Sequence, residues 1–226
     1  MAGSIGTLNE SHLHASLKEH YAQPGDLMEE VVDGYVVDIL RDGLIIEIQT
    51  ANFASINKKM RELVKRHQVR LVFPVAQDKW IVKLPETEGG KAGRRKSPKH
   101  GSFEDVFTEL VSFPDLITHK NFELEVALTQ EEEIRRFDRR RRWWRGNWVT
   151  VERRLLGVIG QLTVRNGSDL MELLPPDLPD EFRTSDLADL FGRPRVIAQQ
   201  AAYCLRKCGL IKQVGKEGNA IVYTKV

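Results

Sequence analysis

Two carboxylates lie on a stretch of chain that is predicted to fold back on itself. Residues 34–50 read GYVVDILRDGLIIEIQT, with Asp42-Gly43 between two runs of mostly apolar residues. An Asp-Gly pair in that setting indicates the two-residue turn of a β-hairpin. Asp38 then lies directly opposite Glu47 on one face of the hairpin, with Cβ atoms about 5 Å apart.

The surroundings of this pair predict a bound cation. Opposed carboxylates repel each other, and Val36, Leu40 and Ile45 on the same face are expected to shield them from water. A divalent cation that prefers oxygen ligands, Mg²⁺ or Mn²⁺, would remove the repulsion. Gln49 points to the same face and can hold a water or a phosphate oxygen beside the metal. The alternative is that both carboxylates are ordinary solvated residues of a surface hairpin.

A third acidic residue precedes the hairpin. Residues 11–22 space Leu13, Leu17 and Tyr21 at intervals of four, which predicts a short amphipathic helix. Glu19 on this helix is a candidate third metal ligand. The alternative is that it belongs to an ordinary exposed helix face.

The order of these residues resembles the PD-(D/E)XK nuclease superfamily. Glu19 precedes Asp38 and the triplet Glu47-Ile48-Gln49, and an amphipathic helix is predicted to follow over residues 52–66. The resemblance covers roughly residues 10–130. It implies an α/β fold of the restriction endonuclease-like kind, a mixed sheet flanked by helices. It also implies that the three carboxylates bind Mg²⁺ and activate a water that attacks a phosphodiester.

Gln49 stands where most members of that family have a lysine. A subgroup of the family has a Glu-x-Gln triplet at this place, as this chain does. By the resemblance the catalytic residues are Glu19, Asp38, Glu47 and Gln49. Lys58 or Lys59 on the following helix is a candidate substitute for the missing positive charge. The same departure favours a competing interpretation, in which a degenerate nuclease domain belongs to a non-catalytic DNA-binding regulator or complex subunit.

The C-terminal part of the chain resembles winged-helix DNA-binding domains over residues 181–226. A helix ending near Gly192, a second helix from Pro194 to about Cys208 and a terminal hairpin give the order of a winged helix-turn-helix. Side chains of this unit that could contact bases or phosphates are Arg195, Gln199, Tyr203, Arg206, Lys212 and Lys216. A dimerisation or docking role is the alternative.

Two further basic segments interrupt the chain. Residues 139–145 read RRRRWWR, and Arg141 and Arg142 are candidate nucleic-acid contacts beside stackable rings. The alternative is that the tryptophans are core residues while the arginines pair with nearby glutamates. Residues 91–99 read KAGRRKSPK and lie in a segment, 86–102, that we interpret as a mobile basic loop, with substrate contact as the less favoured interpretation.

The remaining elements follow from local patterns. The predicted strands cover residues 31–40, 44–50, 69–76, 80–84 and 122–128, and the predicted helices cover 103–111 and 150–163.

Composition limits the class of protein. The 226 residues are 41% hydrophobic and 29% charged, as in globular proteins. No apolar run is long enough for a membrane span, and the N-terminus lacks a signal-peptide pattern. Cys204 and Cys208, spaced four apart on an apolar helix face, predict core packing and not a zinc site. With only two cysteines the sequence favours a cytoplasmic protein.

The net charge of +2 hides an uneven distribution. Residues 183–226 hold eight basic and three acidic residues, a local excess of +5, so the rest of the chain is mildly acidic. A near-neutral total therefore does not argue against a nucleic-acid partner.

Together these patterns predict three regions. Residues 1–130 form the nuclease-like domain, 131–150 a basic Arg/Trp linker and 151–226 the winged helix-turn-helix domain. The predicted activity is Mg²⁺- or Mn²⁺-dependent hydrolysis of DNA, with RNA as the alternative substrate. Cutting both strands would require a homodimer or a partner subunit.

Overall fold

A large mixed β-sheet dominates the computed structural model, which describes residues 11–86, 90–138 and 147–226. Its strand order is β1-β2-β3-β4-β6-β7, with β5 paired to β4, and a separate small sheet has the order β8-β10-β9. The strands are β1 (Leu27–Val32), β2 (Tyr35–Arg41), β3 (Leu44–Ile48), β4 (Gln68–Lys83), β5 (Gly93–Lys96), β6 (Phe122–Phe137), β7 (Trp148–Val164), β8 (Glu181–Phe182), β9 (Ile211–Glu217) and β10 (Ala220–Lys225).

Six α-helices accompany these strands in the part of the chain that the structure describes. They are α1 (His12–Tyr21), α2 (Phe53–Leu63), α3 (Phe107–Leu110), α4 (Gly167–Met171), α5 (Thr184–Phe191) and α6 (Arg195–Lys207). Short 3₁₀ turns cover Phe103–Val106 and Pro114–Thr118. The protein is therefore α/β, as the sequence predicts. No helix in the described ranges is both long enough and apolar enough to span a membrane.

The contacts divide the chain into two compact units. The first unit comprises Met1–Pro24, Pro74–Ser102 and Ala127–Gln161, and the second comprises Gly25–Phe73, Phe103–Val126 and Leu162–Val226. Strands β4, β6 and β7 contribute residues to both.

The hairpin predicted at Asp42-Gly43 is present between β2 and β3. Both turn residues have positive φ, 46° and 85°, which is the requirement of a type I′ turn. Arg41 pairs with Leu44 and Ile39 with Ile46, so the predicted register is confirmed.

The single strand predicted over residues 31–40 is wrong. It consists of the end of β1 and most of β2, joined by a second turn at Asp33-Gly34 with φ of 49° and 83°. Because this is another Asp-Gly pair, the signal for the extra hairpin was present in the sequence. Asp38 consequently lies on the second strand of the sheet and Glu47 on the third.

Helix α2 connects β3 to β4, which run parallel with Ile45 beside Val69. A parallel pair requires such a crossover. The helix buries Phe53, Met60 and Leu63. Phe53 stacks on Phe113 and contacts Phe73 edge-on, with ring centroids 5.2 Å and 5.1 Å apart. This aromatic core fixes the helix against β4, the parallel neighbour of the strand that carries Glu47.

Three predictions about the middle of the chain are wrong. Residues 69–83 form one continuous strand, part of β4, where the sequence predicts two strands over 69–76 and 80–84. Part of the predicted mobile loop is the strand β5, paired with β4. The helix predicted over 150–163 is strand β7. Gly157 and Gly160 disfavour a helix there, and the neighbouring strand β6 supplies the hydrogen-bond partners of β7.

The predicted Arg/Trp linker coincides largely with strand. Its first residues belong to β6 and its last to β7, while residues 139–146 lie outside the described residues. The predicted boundaries at residues 130 and 150 stay a prediction.

The C-terminal elements follow the predicted order. Helix α5 ends at Gly192, whose φ of 59° is the left-handed conformation of a helix C-cap. Pro194 precedes α6, and β9 and β10 form the terminal hairpin. Cys204 is fully buried, as expected of a core residue.

Candidate metal centre

Asp38 and Glu47 lie opposite each other on β2 and β3. The register of the hairpin, with Ile39 beside Ile46, places them directly across from one another. The carboxylate of Asp38 also accepts a hydrogen bond from the backbone N–H of Ile48, at 2.8 Å. This bond keeps one oxygen of Asp38 at the strand that carries Glu47.

Glu47 is a buried acid whose surroundings disfavour its charge. Its side chain is only 7% exposed. Burial, and next the negative charge of Asp38, raise the pKa of Glu47 to about 7, while Lys59 opposes this rise. Its Oε2 atom is buried and has no hydrogen-bond partner among the described residues. A buried carboxylate oxygen without a partner is costly unless something binds it.

Lys59 reaches this pair from helix α2. Its Nζ atom donates a hydrogen bond to Oε1 of Glu47 and another to the backbone oxygen of Val36, the latter at 2.6 Å. Lys58, the other lysine considered, is exposed. Of the two candidates for the missing positive charge, the structure brings Lys59 to the carboxylates.

Spacing along the helix offers a signal for this contact. Ile56 and Leu63 lie three residues before and four residues after Lys59, so Lys59 borders the apolar stripe that faces the sheet. The sequence alone left the choice between the two lysines open because Glu62 lies four residues after Lys58 and three after Lys59, so either lysine could pair with it along the helix.

Gln49 supports the loop before α2. Its Nε2 atom donates hydrogen bonds to the backbone oxygens of Ala51 and Asn52, the latter at 3.3 Å, and lies 3.4 Å from the Ser55 hydroxyl. Asn52, which precedes the helix, has a left-handed φ of 58° and makes no side-chain cap. The amide nitrogen of Gln49 therefore stabilises this turn. Gln49 itself lies two residues after Glu47 in the sequence.

The expected apolar shielding is only partly present. Ile45 is fully buried and Leu40 is half-buried, but Val36 is 58% exposed. The prediction that Val36 shields the pair is wrong. Its side chain faces solvent while its carbonyl oxygen binds Lys59.

Glu19 and the two carboxylates belong to different compact units. Glu19 is exposed on α1, which belongs to the first unit, whereas Asp38 and Glu47 belong to the second. Over residues 11–86, 90–138 and 147–226, no group of three or more His, Cys, Asp and Glu side chains is placed to hold a metal ion. The role predicted for Glu19 stays a prediction.

Sequence reasoning missed a different acidic residue. Met28 pairs with Ile39 and Glu30 with Val37, so Glu29 falls opposite Asp38 on the edge strand β1. Glu29 has a φ of 54°, a rare conformation for a residue with a side chain. Carboxylates thus occupy the same register position on three neighbouring strands.

The chemistry of these residues fits a hard divalent cation. Asp38 and Glu47 offer carboxylate oxygens, and Oε2 of Glu47 is buried and unpartnered. These two residues would hold Mg²⁺ or Mn²⁺. Binding requires the deprotonated form of Glu47, so it competes with protons near neutral pH.

The nucleic-acid contacts predicted within residues 181–226 are surface residues. Their side chains share exposure to solvent on α6 or β9: Arg195, Gln199, Tyr203, Arg206, Lys212 and Lys216. The opposite face of α6 is apolar and buried. Arg141 and Arg142 lie outside the described residues.

Cys204 lies on α6 and Cys208 is the residue that ends it. Cys204 is buried, and the Cys208 thiol lies 3.1 Å from the backbone oxygen of Pro114.

Comparison with known proteins gives a family. A relative from Treponema pallidum (strain Nichols), named "Uncharacterized protein", is 32% identical over 223 residues, which is 98% of this chain and 88% of the relative. No solved structure matches the chain. A family model described as "Domain of unknown function (DUF8091)" matches residues 11–165, a segment that begins one residue before α1 and ends just after β7. The chain belongs to this family of proteins with a DUF8091 domain.

Proposed function

We propose that this protein is a metal-dependent nuclease that hydrolyses phosphodiester bonds of DNA at Asp38 and Glu47. The observation that carries the proposal is the buried, unpartnered Oε2 atom of Glu47 directly across from Asp38. A hairpin with no function at this position would be more stable with an apolar residue there. A carboxylate kept in such a place is typical of a site that binds a cation.

The position of each acidic residue supports the resemblance to PD-(D/E)XK nucleases. In that family the aspartate belongs to the second strand and the glutamate to the third. Here Asp38 is on β2 and Glu47 is on β3, after a first helix and before the crossover helix α2. The restriction endonuclease-like sheet is therefore part of this proposal.

Lys59 takes the place of the lysine that Gln49 replaces. Its ammonium group lies on the Glu47 carboxylate and would supply the positive charge that Gln49 cannot. Asp38 and Glu47 would hold the metal, and Lys59 would position the attacking water and stabilise negative charge on the phosphate. When bound, Mg²⁺ or Mn²⁺ supplies a Lewis acid that neutralises the scissile phosphate and favours deprotonation of the water.

DNA contact by the C-terminal elements completes the proposal. The exposed face of α6 carries Arg195 and Arg206, and β9 carries Lys212 and Lys216. These side chains fit phosphate binding by a winged helix-turn-helix domain. Glu19 and the arginines 141 and 142 belong to the proposal on sequence grounds alone.

Cleavage of plasmid DNA tests the activity. The purified full chain should nick supercoiled plasmid in Mg²⁺ or Mn²⁺, and EDTA should stop it. Asp38→Asn and Glu47→Gln should each abolish nicking, while Glu30→Gln, an exposed carboxylate on β1, should leave it unchanged. Absence of nicking by the wild type in both metals would refute the nuclease.

A second candidate function is a non-catalytic DNA-binding protein with a degenerate nuclease domain. The hydrogen bonds of the Gln49 amide favour this second function, because they stabilise the turn before α2 and so give the amide a structural role. The ion pair of Lys59 with Glu47 can likewise be structural. Metal-independent DNA binding without cleavage of DNA or RNA in either metal would support this alternative.

A further inference from the structure

A second basic surface lies in the first unit, on strand β5 and on the part of β4 that follows Phe73. All four residues of β5 are exposed. Its register pairs Lys96 with Trp80 and Arg94 with Val82 of β4. Cationic side chains therefore alternate across this edge, with Arg94 and Lys96 on one face and Arg95 on the other. We use the name β5 basic face for the exposed edge made by both sides of this strand: Trp80, Arg94 and Lys96 on one side, Arg95 on the other, and Lys99 three residues further along the chain.

Trp80 holds two of these cations in place. The guanidinium carbon of Arg94 lies 4.9 Å, and the ammonium of Lys96 5.5 Å, from the centroid of the indole ring. Both distances are within the range of cation–π attraction. The ring is thus occupied by cations and acts as a platform that fixes their positions.

Two carboxylates also hold the same two cations in position, and the surface still carries a net positive charge. Glu132 contacts Arg94 at 2.7 Å and Asp78 contacts Lys96 at 2.9 Å. Arg95 and Lys99 are exposed, and no hydrogen bond or ion pair engages their side chains within the described residues. The surface therefore keeps an excess of positive charge.

Protection of a sheet edge does not account for this arrangement. Exposed lysines and arginines alone prevent edge-to-edge pairing of β5, which is paired only with β4. That role requires no aromatic ring or carboxylate to position the cations. Fixed cations, however, lose less side-chain entropy when an anionic partner binds.

We propose that the β5 basic face binds the sugar–phosphate backbone of duplex DNA. The choice of DNA rests on the proposed nuclease function, and the charge of the surface is complementary to a polyanion. Because the indole ring is covered by cations, the contact is with phosphates and not with stacked bases. This surface would hold the substrate in addition to the face of α6.

Salt-dependent binding of a labelled duplex tests the proposal. Fluorescence anisotropy with the full chain in EDTA excludes cleavage from the measurement. The triple variant Arg94→Gln/Arg95→Gln/Lys96→Gln should weaken binding at least about tenfold. The slope of log K against log salt should become shallower by about 2 to 3, since each lost phosphate contact removes about 0.9.

Two controls sharpen the result. Lys65→Gln/Arg66→Gln/Lys120→Gln removes the same charge from exposed positions of the second unit and should change affinity by less than about threefold. Trp80→Leu keeps every charge but frees Arg94 and Lys96, so affinity should fall by a fewfold with the slope unchanged. Circular dichroism confirms that each variant folds.

The outcomes separate this proposal from the nuclease itself. If the β5 triple variant binds with wild-type affinity and slope, the β5 basic face is not a DNA contact, whether or not the protein nicks plasmid. If both triple variants lose equal affinity, the effect is one of net charge and the proposal fails. A β5-dependent preference for duplex RNA over DNA of tenfold or more would also overturn it. Loss of nicking in Glu47→Gln with unchanged binding concerns the nuclease only.

Discussion

Lys59 donates a hydrogen bond to Glu47, although the two residues belong to different elements and are separated by a left-handed turn at Asn52. The contact joins the crossover helix α2 to the strand β3. It satisfies one oxygen of a buried carboxylate and leaves the other without a partner. Glu47 therefore takes part in a structural ion pair through one oxygen and offers the other as an open ligand position. Loss of the ion pair should affect stability, and loss of the ligand position should affect metal binding.

Replacement of Lys59 by methionine should destabilise the protein. The Glu47 carboxylate would lose the one cationic hydrogen-bond donor that it has among the described residues, at a cost of about 1–3 kcal/mol. The loss should be larger at pH 8, where Glu47 is ionised, than at pH 5.5, where it is protonated. Urea denaturation followed by circular dichroism measures the change.

Lys58→Met is the matched control for that variant. Lys58 is exposed on the same helix, so its replacement should alter the free energy of unfolding by less than about 0.5 kcal/mol. Equal effects of the two substitutions at both pH values would contradict a specific role for Lys59.

The raised pKa of Glu47 predicts a pH-dependent stability. The folded protein holds a proton on Glu47 up to about pH 7, whereas the unfolded chain loses it near pH 4.5. The stabilising contribution is thus fully present below pH 4.5 and declines as the pH rises to about 7. The decline amounts to roughly 3 kcal/mol.

Comparison with Glu47→Gln isolates this contribution. The free energy of unfolding of the wild type, relative to that of the variant, should fall steadily between pH 4.5 and 7 and then level off. A constant difference across this interval would show that Glu47 ionises normally in the folded protein.

Replacing Gly101 by a residue with a side chain should destabilise the protein. A Cβ atom there would lie 2.6 Å from both the backbone oxygen of Ala76 and a methyl carbon of Val75. Gly101→Ala should therefore destabilise the protein by about 1–3 kcal/mol. In Gly93→Ala, where nothing lies within 4 Å, thermal unfolding should be nearly unchanged. Similar melting temperatures for the two variants would be inconsistent with this close approach.

Both cysteines should react slowly in the folded protein. Burial raises the pKa of Cys204 well above its usual range and that of Cys208 to about 11. Because the thiolate is the reactive form, alkylation by iodoacetamide at pH 8 should be at least about tenfold slower than in 6 M urea. Mass spectrometry resolves the two sites, and rapid native labelling of Cys208 would contradict the packing of its thiol against Pro114.

Local signals in the sequence were sufficient for the hairpin, its register and the opposition of Asp38 to Glu47. An Asp-Gly turn requires positive φ at two positions and fixes the pairing of the flanking residues. Helices α2, α5 and α6 were predictable for a related reason, since their apolar spacing and their caps depend on residues within the element.

Only the tertiary structure decided which strands and side chains meet. Whether residues 150–163 form a helix or the strand β7 depends on hydrogen bonds to a neighbouring strand, which are not part of the local propensity of the sequence. The choice of Lys59 over Lys58 depends on how α2 packs through Phe53 and Met60. The parallel pairing of β3 with β4, which places Glu47 inside the sheet, likewise depends on a crossover between distant parts of the chain. Spacing across the Asp-Gly hairpin therefore predicts the pair, but not which side chains bury it or that Lys59 is its partner.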